Sequence, residues 1–451
     1  MSIHSRKATY AHIAKRLLHK FKSPLRRPSD FYTFGFPWRS ILTLIFVLSE
    51  ITTSTLASSP TDTAKQIRFT QTVDMLSAIY LPVNQELFFC GKSGVVGKLL
   101  VVDGGLESQI IETGIKEDFL VAAVAPDEGV LVGSSKGNIF RYQNSKLEKL
   151  AGLSDYDEPI LDIYVGPEFI WASGGRGLMA QSSDGGHEWS HLIIESVEQP
   201  SLDLPSREPG VWYLGASNID LSSVVFSAQV NGKQVVLGED FEIDVEEGRL
   251  IIRNALDDKG PASIGFNFNP GPPYRGGDVA WNVVIAQPEV LTIAGEFGLI
   301  LQSYDKGQQW VRRNGEITRE EPGQLYWLSG ASSDNSIILG GAAGVIYMSK
   351  DTGLTWSDLD LVSQEGVFGV NFVNSDTPII AGAVGLLGIY QDGQWKMADR
   401  TALGLRSWIK NLVHIGNDTW VALGGRSTAL SFSSDSGWEK LNVMIASGEA
   451  Q

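Results

Sequence analysis

Cysteine is almost absent from this 451-residue chain, which contains only Cys90. A single cysteine rules out an internal disulfide, a cysteine-based zinc cluster and an iron–sulfur site. Cys90 ends the apolar stretch ELFFC, so we expect a buried structural thiol rather than a nucleophile.

Histidine is also scarce: beyond residue 57 it occurs at His187, His191 and His414. Neither a histidine metal site nor a Ser-His-Asp triad can be recognised in these positions. We therefore expect no metal, no cofactor and no catalytic residue.

Positive charge is concentrated in one short part of the chain. Residues 1–57 hold nine Lys or Arg and two acids, a net charge of +7, whereas residues 58–451 carry a net charge of −23. Because the larger part is strongly acidic, a nucleic-acid partner is not expected.

Long hydrophobic runs are missing near the N-terminus, where the apolar run 41–48 is far shorter than the ~20 residues that a membrane-spanning helix needs. Thr55 and Ala57 are small residues of the kind that a signal peptidase accepts. We interpret residues 1–57 as an export or targeting segment, with the periplasm as the expected compartment and the thylakoid lumen or the extracellular space as alternatives. A transit peptide ahead of a lumenal signal and a misassigned start are rival interpretations. If the signal is not cleaved, it would be the protein's contact with the membrane.

Glycine and aromatic residues are plentiful, and 49 Gly with 12 Trp and 19 Phe favour tight turns between short strands.

The motif Ser-x-Asp-x-Gly-x-x-Trp occurs at 182–189, 303–310 and 349–356, each time after a Gly-x-x-Gly and a short apolar stretch. Incomplete versions of this pattern of glycines, apolar stretch and motif occur in four further units. The first glycines of the seven resulting units are Gly91, Gly133, Gly174, Gly295, Gly341, Gly382 and Gly424.

The spacing of these units predicts a repeat protein. Neighbouring units are 41 to 46 residues apart, except for one step of 121, which equals one period plus about 80 inserted residues. Each unit reads as four strands, so we predict an all-β fold, a seven-bladed β-propeller with a small antiparallel β insertion. Blades one to three occupy 58–195, the insertion 196–277 and blades four to seven 278–451. Residues 67–73 are a candidate for an extra closing strand.

The repeated motif has a structural explanation. Asp can accept hydrogen bonds from backbone amides of its own turn, Gly can adopt a positive φ, Ser can bond a neighbouring amide, and Trp can pack on the hairpin. One carboxylate per copy argues against a calcium site. The predicted structural residues are Ser182, Asp184, Gly186, Trp189, Ser303, Asp305, Gly307, Trp310, Ser349, Asp351, Gly353 and Trp356.

Motifs of this kind, called Asp boxes or bacterial neuraminidase repeats, occur in sialidases, in sortilin-type receptors and in the photosystem II stability/assembly factor family. The arrangement Gly-x-x-Gly-x-Ile/Leu-x-x-Ser-x-Asp-x-Gly-x-x-Trp, repeated about every 42 residues, most resembles the last family. That resemblance covers roughly 70–195 and 278–445 and implies an exported, seven-bladed propeller. In plants and cyanobacteria such proteins act in the thylakoid lumen and help to assemble photosystem II.

The alternative is an extracytoplasmic glycosidase or lyase with a sialidase-like propeller. A sialidase would need three convergent arginines, a Tyr–Glu pair and an acid, usually with Arg-Ile-Pro near the first blade. The chain has no Arg between Phe69 and Phe140 and no Arg-Ile-Pro. We therefore predict a non-catalytic protein that serves as a protein-binding scaffold or assembly factor for a membrane complex.

Propeller topology predicts that the Gly-x-x-Gly turns lie on one face, opposite the Asp boxes. The turns of blades seven, one, two and three carry cations, with one more on the segment that leads into blade seven, whereas those of blades five and six carry Ala and Val. The candidate partner-binding residues are Lys92, Lys136, Arg176, Arg406 and Arg426. An acidic segment of a partner protein, such as a subunit of a membrane complex, would suit them. The competing interpretation is that these are solvated turn charges, or that they pair with the nearby acids Asp74, Asp118 and Asp157.

The insertion alternates apolar and polar residues between NG, GED and EEG turns, which predicts a small antiparallel unit. Its acidic run 239–247 is expected to be a solvated strand face rather than a metal site. Because the insertion leaves the chain on the face of the Gly-x-x-Gly turns, we expect it to stand beside or over the central opening.

Overall fold

The computed structural model of the protein describes residues 72–102, 105–270, 279–314 and 325–445. The predicted targeting segment 1–57 and most of the candidate closing strand 67–73 lie outside these residues. Within them the chain folds into β-strands and a few three-residue 3₁₀ turns, so the predicted all-β class is confirmed. No helix in the described ranges is long and apolar enough to cross a bilayer. The 3₁₀ turns are Lys92–Gly94, Gly175–Gly177, Glu296–Gly298, Ala342–Gly344, Ala383–Gly385 and Gly425–Ser427.

Seven of the nine sheets in the described part of the chain contain four consecutive antiparallel strands. We number these sheets one to seven in chain order. The first three comprise β1 Met75–Leu81, β2 Glu86–Gly91, β3 Val95–Val102 and β4 Gly105–Glu112; β5 Phe119–Val124, β6 Val130–Ser134, β7 Asn138–Gln143 and β8 Lys146–Gly152; and β9 Ile160–Val165, β10 Ile170–Gly174, β11 Met179–Ser182 and β12 Ser190–His191.

A separate set of short strands lies between the third and fourth sheets in sequence. Three of them extend the fourth sheet, and the others form a three-stranded and a two-stranded sheet. They are β13 Val197–Asp203, β14 Gly210–Tyr213, β15 Ile219–Ser227, β16 Gln229–Val230, β17 Lys233–Gln234, β18 Phe241–Asp244, β19 Arg249–Ile252 and β20 Ser263–Phe268.

The last four sheets follow the same four-strand order. They comprise β21 Trp281–Gln287, β22 Val290–Gly295, β23 Ile300–Ser303 and β24 Trp310–Arg312; β25 Trp327–Ser333, β26 Ser336–Gly341, β27 Ile346–Ser349 and β28 Ser357–Asp358; β29 Val367–Asn374, β30 Thr377–Gly382, β31 Leu387–Gln391 and β32 Gln394–Met397; and β33 Ile409–Gly416, β34 Thr419–Gly424, β35 Ala429–Ser433 and β36 Gly437–Lys440. A final strand, β37 Asn442–Ile445, pairs in parallel with β4 and so joins the C-terminal end of the described chain to the first sheet.

The first strands of the seven sheets contact one another in a closed order, β1–β5–β9–β21–β25–β29–β33 and back to β1. At six of these junctions a polar side chain on one first strand bonds the backbone of the next. The bonding side chains are Ser77, Asp162, Asn282, Ser329, Asn371 and Asn411. Apolar clusters between neighbouring sheets fill the space behind the ring, and the second strands are almost wholly buried.

The segment 196–277 was expected beside or over the central opening, and its strands β13, β15 and β20 lie at the edge of the fourth sheet. β13 pairs in parallel with β24, the fourth strand of the fourth sheet, and β20 and β15 continue that sheet outward. The segment therefore extends the outer edge of the sheet rather than standing over the centre of the ring. The physical reason is that β24 has an edge of backbone groups that β13 can satisfy.

The Gly-x-x-Gly motif has two separate steric causes. In every sheet but the second, a Cβ on the first glycine would collide with the chain just before the first strand, as at Gly295, where it would lie 1.9 Å from the Ala280 carbonyl oxygen. In the first, third, fourth, fifth and sixth sheets, the residue before the second glycine and that glycine itself both have positive φ, for example 56° at Ala343 and 76° at Gly344. Two successive positive φ values define a type I′ turn, which matches the twist of an antiparallel hairpin.

Gly295→Ala is predicted to destabilise the folded domain by about 1–3 kcal/mol, because the fixed Ala280 carbonyl must move to admit the methyl group. Gly210→Ala is the matched control, since its Cβ would lie 3.8 Å from the nearest neighbour and should change stability by less than about 0.5 kcal/mol. Urea denaturation measures both changes. Equal stability of the two variants would contradict the steric explanation.

Candidate functional site

The three Ser-x-Asp-x-Gly-x-x-Trp segments join third and fourth strands and share one hydrogen-bond pattern. At the second copy, Ser303 Oγ donates to Asp305 Oδ1 over 2.8 Å and accepts from the Gly307 amide over 2.7 Å. The Asp305 carboxylate accepts two further amides from its own loop. The other two copies repeat the Ser–Asp and Ser–Gly bonds, so each segment is a closed loop held by its own side chains.

The Trp residues differ in their partners. The indoles of Trp189 and Trp310 donate to the glycine carbonyls of their own loops, whereas Trp356 donates to the Arg313 carbonyl of the preceding sheet.

Burial acts to raise the pKa of Asp305, but the loop hydrogen bonds outweigh it and the pKa lies below its usual range. Across the described ranges, no group of His, Cys, Asp or Glu is arranged to hold a metal ion.

The candidate partner-binding cations lie at the end of the sheets that carries the Gly-x-x-Gly turns, which we call the turn face. Lys92 and Arg426 meet at one carboxylate, Asp74. Lys92 Nζ lies 2.7 Å from Asp74 Oδ2, and the Arg426 amide donates to Asp74 Oδ1 over 2.9 Å. Burial acts to raise the pKa of Asp74, but these contacts outweigh it and lower the pKa.

A second pair of cations meets at the segment that enters the third sheet. Lys136 Nζ lies 3.9 Å from Asp157, and the Arg176 guanidinium lies 3.5 Å from Glu158. Sequence reasoning considered Asp157 but missed Glu158, although it is the very next residue and an acid. Arg176 remains 61% exposed despite its ion pair.

The two pairs of cations belong to one arc of the turn face. Asp118, on the segment between them, accepts the Ser93 amide over 2.8 Å, and its own carbonyl accepts the Ser135 amide. Arg406 is exposed on the segment that enters the seventh sheet. The arc therefore alternates positive and negative side chains rather than presenting uncompensated positive charge.

A cavity of about 490 Å³ lies beside Arg176, between the third sheet and the end of β20. Its floor includes the buried side chains of Met179 and Trp281. Tyr156 and Ile193 line it as well, and they are 81% and 79% exposed. Large apolar side chains exposed to this degree beside a cavity are typical of a contact surface.

Sequence reasoning missed two charged residues on the first strands. Asp162 on β9 accepts the Val284 amide of β21 over 2.9 Å, and Lys410 Nζ on β33 donates to the Leu120 carbonyl of β5 over 3.3 Å. A charge inside an otherwise apolar strand, as in ILDIYV and IKNLVHI, was the available signal. These residues lie inside the ring and not on the turn face.

Comparison with known proteins supports the fold. No family model and no curated protein sequence matches the chain. The structure of YCF48 from Cyanidioschyzon merolae is similar with a TM-score of 0.51 at 11% identity, over 82% of this chain and 99% of that one. YCF48 bound to D1 peptide matches with a TM-score of 0.49 at 12% identity, over 81% of this chain and 94% of that one. The C-terminal WD40 domain of Sif2 matches with a TM-score of 0.45 at 11% identity, over 80% of this chain and 96% of that one. At such identities the likeness concerns the fold alone, which is of the β-propeller type.

Ser303→Ala is predicted to cost about 1–3 kcal/mol of stability, because the buried Gly307 amide loses its acceptor and Asp305 loses a donor. Ser183→Ala, at an exposed position in the first copy, is the control and should change stability by less than about 0.5 kcal/mol. Thermal and urea unfolding give the comparison. A Ser303→Ala protein as stable as the control would show that the loop bonds contribute nothing.

Proposed function

We propose that the chain is an exported, non-catalytic seven-bladed β-propeller that binds a protein partner on its turn face. The observation that carries the proposal is the combination of Arg176 with the exposed Tyr156 and Ile193 around one cavity. Arg176 shares the cavity with Asp155, Glu158 and Glu195 and is paired with Glu158, yet it stays 61% exposed. A peptide that offers an apolar group to Tyr156 and Ile193, and a carboxylate to the exposed side of Arg176, would suit this surface.

The blade count rests on the seven four-stranded sheets and on the closed order of their first strands. The parallel pairing of β13 with β24 supports the view that 196–277 is an insertion, because the fourth sheet already has its four strands without it. In this proposal the Asp-box loops are structural and the turn face is functional.

The proposed non-catalytic role draws on the residues of the first strands. A sialidase-like site would need convergent arginines or two opposed carboxylates. In the described first strands the charged residues are one carboxylate, Asp162, and one ammonium, Lys410. This arrangement offers neither a nucleophile with a base nor an acid pair.

The proposals that the protein is exported and that its partner belongs to a membrane complex are based on the sequence. The basic stretch followed by an apolar run and small residues in 1–57 supports export to the periplasm. The resemblance of the repeat to photosystem II assembly factors supports a role in building a membrane complex, with a subunit of that complex as partner.

The first test is capture of partners from an envelope extract with the wild-type chain and with Tyr156→Ser/Ile193→Ser as bait. We expect the double variant to lose the partners while its melting temperature stays unchanged, because both side chains are exposed. Leu354→Ser is the matched control, since Leu354 is 52% exposed in an Asp-box loop, away from the turn face. Partners captured equally by all three proteins would contradict the proposed surface.

The cations need neutral rather than reversed substitutions. Glu at position 92, 136 or 176 would face Asp74, Asp157 or Glu158 and would destabilise the turns. We expect Arg176→Gln to weaken capture and to reduce its dependence on salt, since an exposed ion pair contributes only about 0–1 kcal/mol to stability. Unchanged capture and unchanged salt dependence would show that Arg176 is only a solvated turn residue.

A further inference from the structure

Six turns of the turn face place a residue other than glycine at positive φ, and the choice of residue is unusual. These residues are Ser93, Arg176, Phe297, Ala343, Val384 and Arg426. Gly, Asn and Asp tolerate this conformation best, and none of them stands at the six positions. Elsewhere in the described ranges, nine of the fifteen non-glycine residues at positive φ are Asn or Asp. The turn face therefore departs from a local preference that the rest of the described chain follows.

Val384 in the sixth sheet is the clearest departure. It occupies the first central position of a type I′ turn, which the Leu386 amide closes by donating to the Ala383 carbonyl over 3.0 Å. Its φ is 52°, and a β-branched residue is strained at such a value. The other β-branched residue at positive φ in the described ranges is Thr352, whose hydroxyl donates to the Asp351 carbonyl. A valine can form no such bond, and the side chain of Val384 is 56% exposed, so little burial offsets the strain.

Arg406 lies beside this turn. The segment that enters the seventh sheet passes against Gly385, where an added Cβ would lie 2.5 Å from the Cβ of Leu405. Val384 and Arg406 are the chain neighbours of these two residues, and both are exposed. A strained apolar side chain and a cation therefore lie close together on the turn face.

The charge of Arg406 is not neutralised by a nearby acid. In the part of the chain that the structure describes, its side chain has no ion pair and no hydrogen bond. Glu365, on the segment that enters the sixth sheet, lies 2.7 Å from Arg400 and is satisfied there. Lys92 and Arg176, by contrast, each lie against a carboxylate. The guanidinium of Arg406 is therefore complementary to a carboxylate from another molecule.

We propose that Val384 and Arg406 form a second contact point on the turn face, for a partner segment in which an apolar side chain stands next to a carboxylate. This contact presupposes the proposed function, in which a protein partner binds the turn face. Val384 supplies the apolar contact and Arg406 supplies the charge. The turn keeps a strained valine in place of an unstrained Asn because binding requires the apolar side chain.

The experiment measures the binding of short labelled peptides to the full chain by fluorescence polarisation. In the three peptides, Glu alternates with Leu, Gln alternates with Leu, and Glu alternates with Ser. The wild type should bind the Glu–Leu peptide roughly fivefold more tightly than the Gln–Leu peptide and roughly tenfold more tightly than the Glu–Ser peptide. Arg406→Gln should bind the Glu–Leu peptide only as tightly as the Gln–Leu peptide.

Substitution of Val384 separates binding from stability. Val384→Asn should weaken binding of the Glu–Leu peptide roughly tenfold, and in urea denaturation it should lower the unfolding constant roughly fivefold, because Asn tolerates positive φ. Val384→Leu keeps an apolar side chain and should bind like the wild type. Ala343→Asn is the matched control at the same position of the fifth sheet's turn, with a φ of 56°, and should leave binding unchanged.

Several results would overturn the proposal. A wild-type chain that does not prefer the Glu–Leu peptide would do so, and so would a Val384→Asn protein that binds this peptide as tightly as the wild type. A Val384→Asn protein no more stable than the wild type would remove the strain from which the contact is inferred. Weakened binding in Ala343→Asn would assign the effect to the turns in general. None of these results affects the capture of partners through Tyr156 and Ile193, whose failure would instead contradict the proposed function.

Discussion

The hydrogen bonds of Asn411 join the two ends of the repeat, and the rest of the architecture depends on that junction. Asn411 is 8% exposed on β33, and its amide donates to the Met75 carbonyl and accepts from the Ala78 amide, both over 2.9 Å. These bonds span more than 330 positions of sequence. Because a repeat array without this contact would expose the inner faces of its first and last sheets, closure allows every sheet to bury both faces.

The segments that link one sheet to the next determine both stability and surface chemistry. In every sheet but the second, this segment passes so close to the Gly-x-x-Gly turn that the first glycine cannot carry a Cβ. The same segments supply Asp74, Asp157 and Glu158, which lie against the cations of the turns. The turn face is therefore a surface of alternating charge, with the exposed apolar side chains of Tyr156 and Ile193 around the cavity beside Arg176.

Much of the fold could be predicted from the sequence because the repeated motifs encode local geometry. A Ser, an Asp and a Gly at fixed spacing specify a loop whose bonds all lie within five residues, as at Ser303 and Gly307. The partners of Lys92 and Lys136 were also foreseeable, since Asp74 and Asp157 lie in the segments that enter the first and third sheets. The position of 196–277 was not foreseeable, because the choice of an open sheet edge by β13 depends on packing that no local pattern records. The bonds of Asp162 and Lys410 to other first strands were hidden for the same reason, since their backbone partners Val284 and Leu120 lie 122 and 290 residues away in sequence.

The most direct test of ring closure is the Asn411→Leu protein, which keeps the side-chain volume but removes both bonds to the first sheet. We expect one cooperative unfolding transition with a loss of about 2–4 kcal/mol, because the buried Met75 carbonyl and Ala78 amide are left unpaired and all seven sheets depend on the junction. An unfolding transition with the wild-type midpoint, or a separate early transition confined to the seventh sheet, would contradict it.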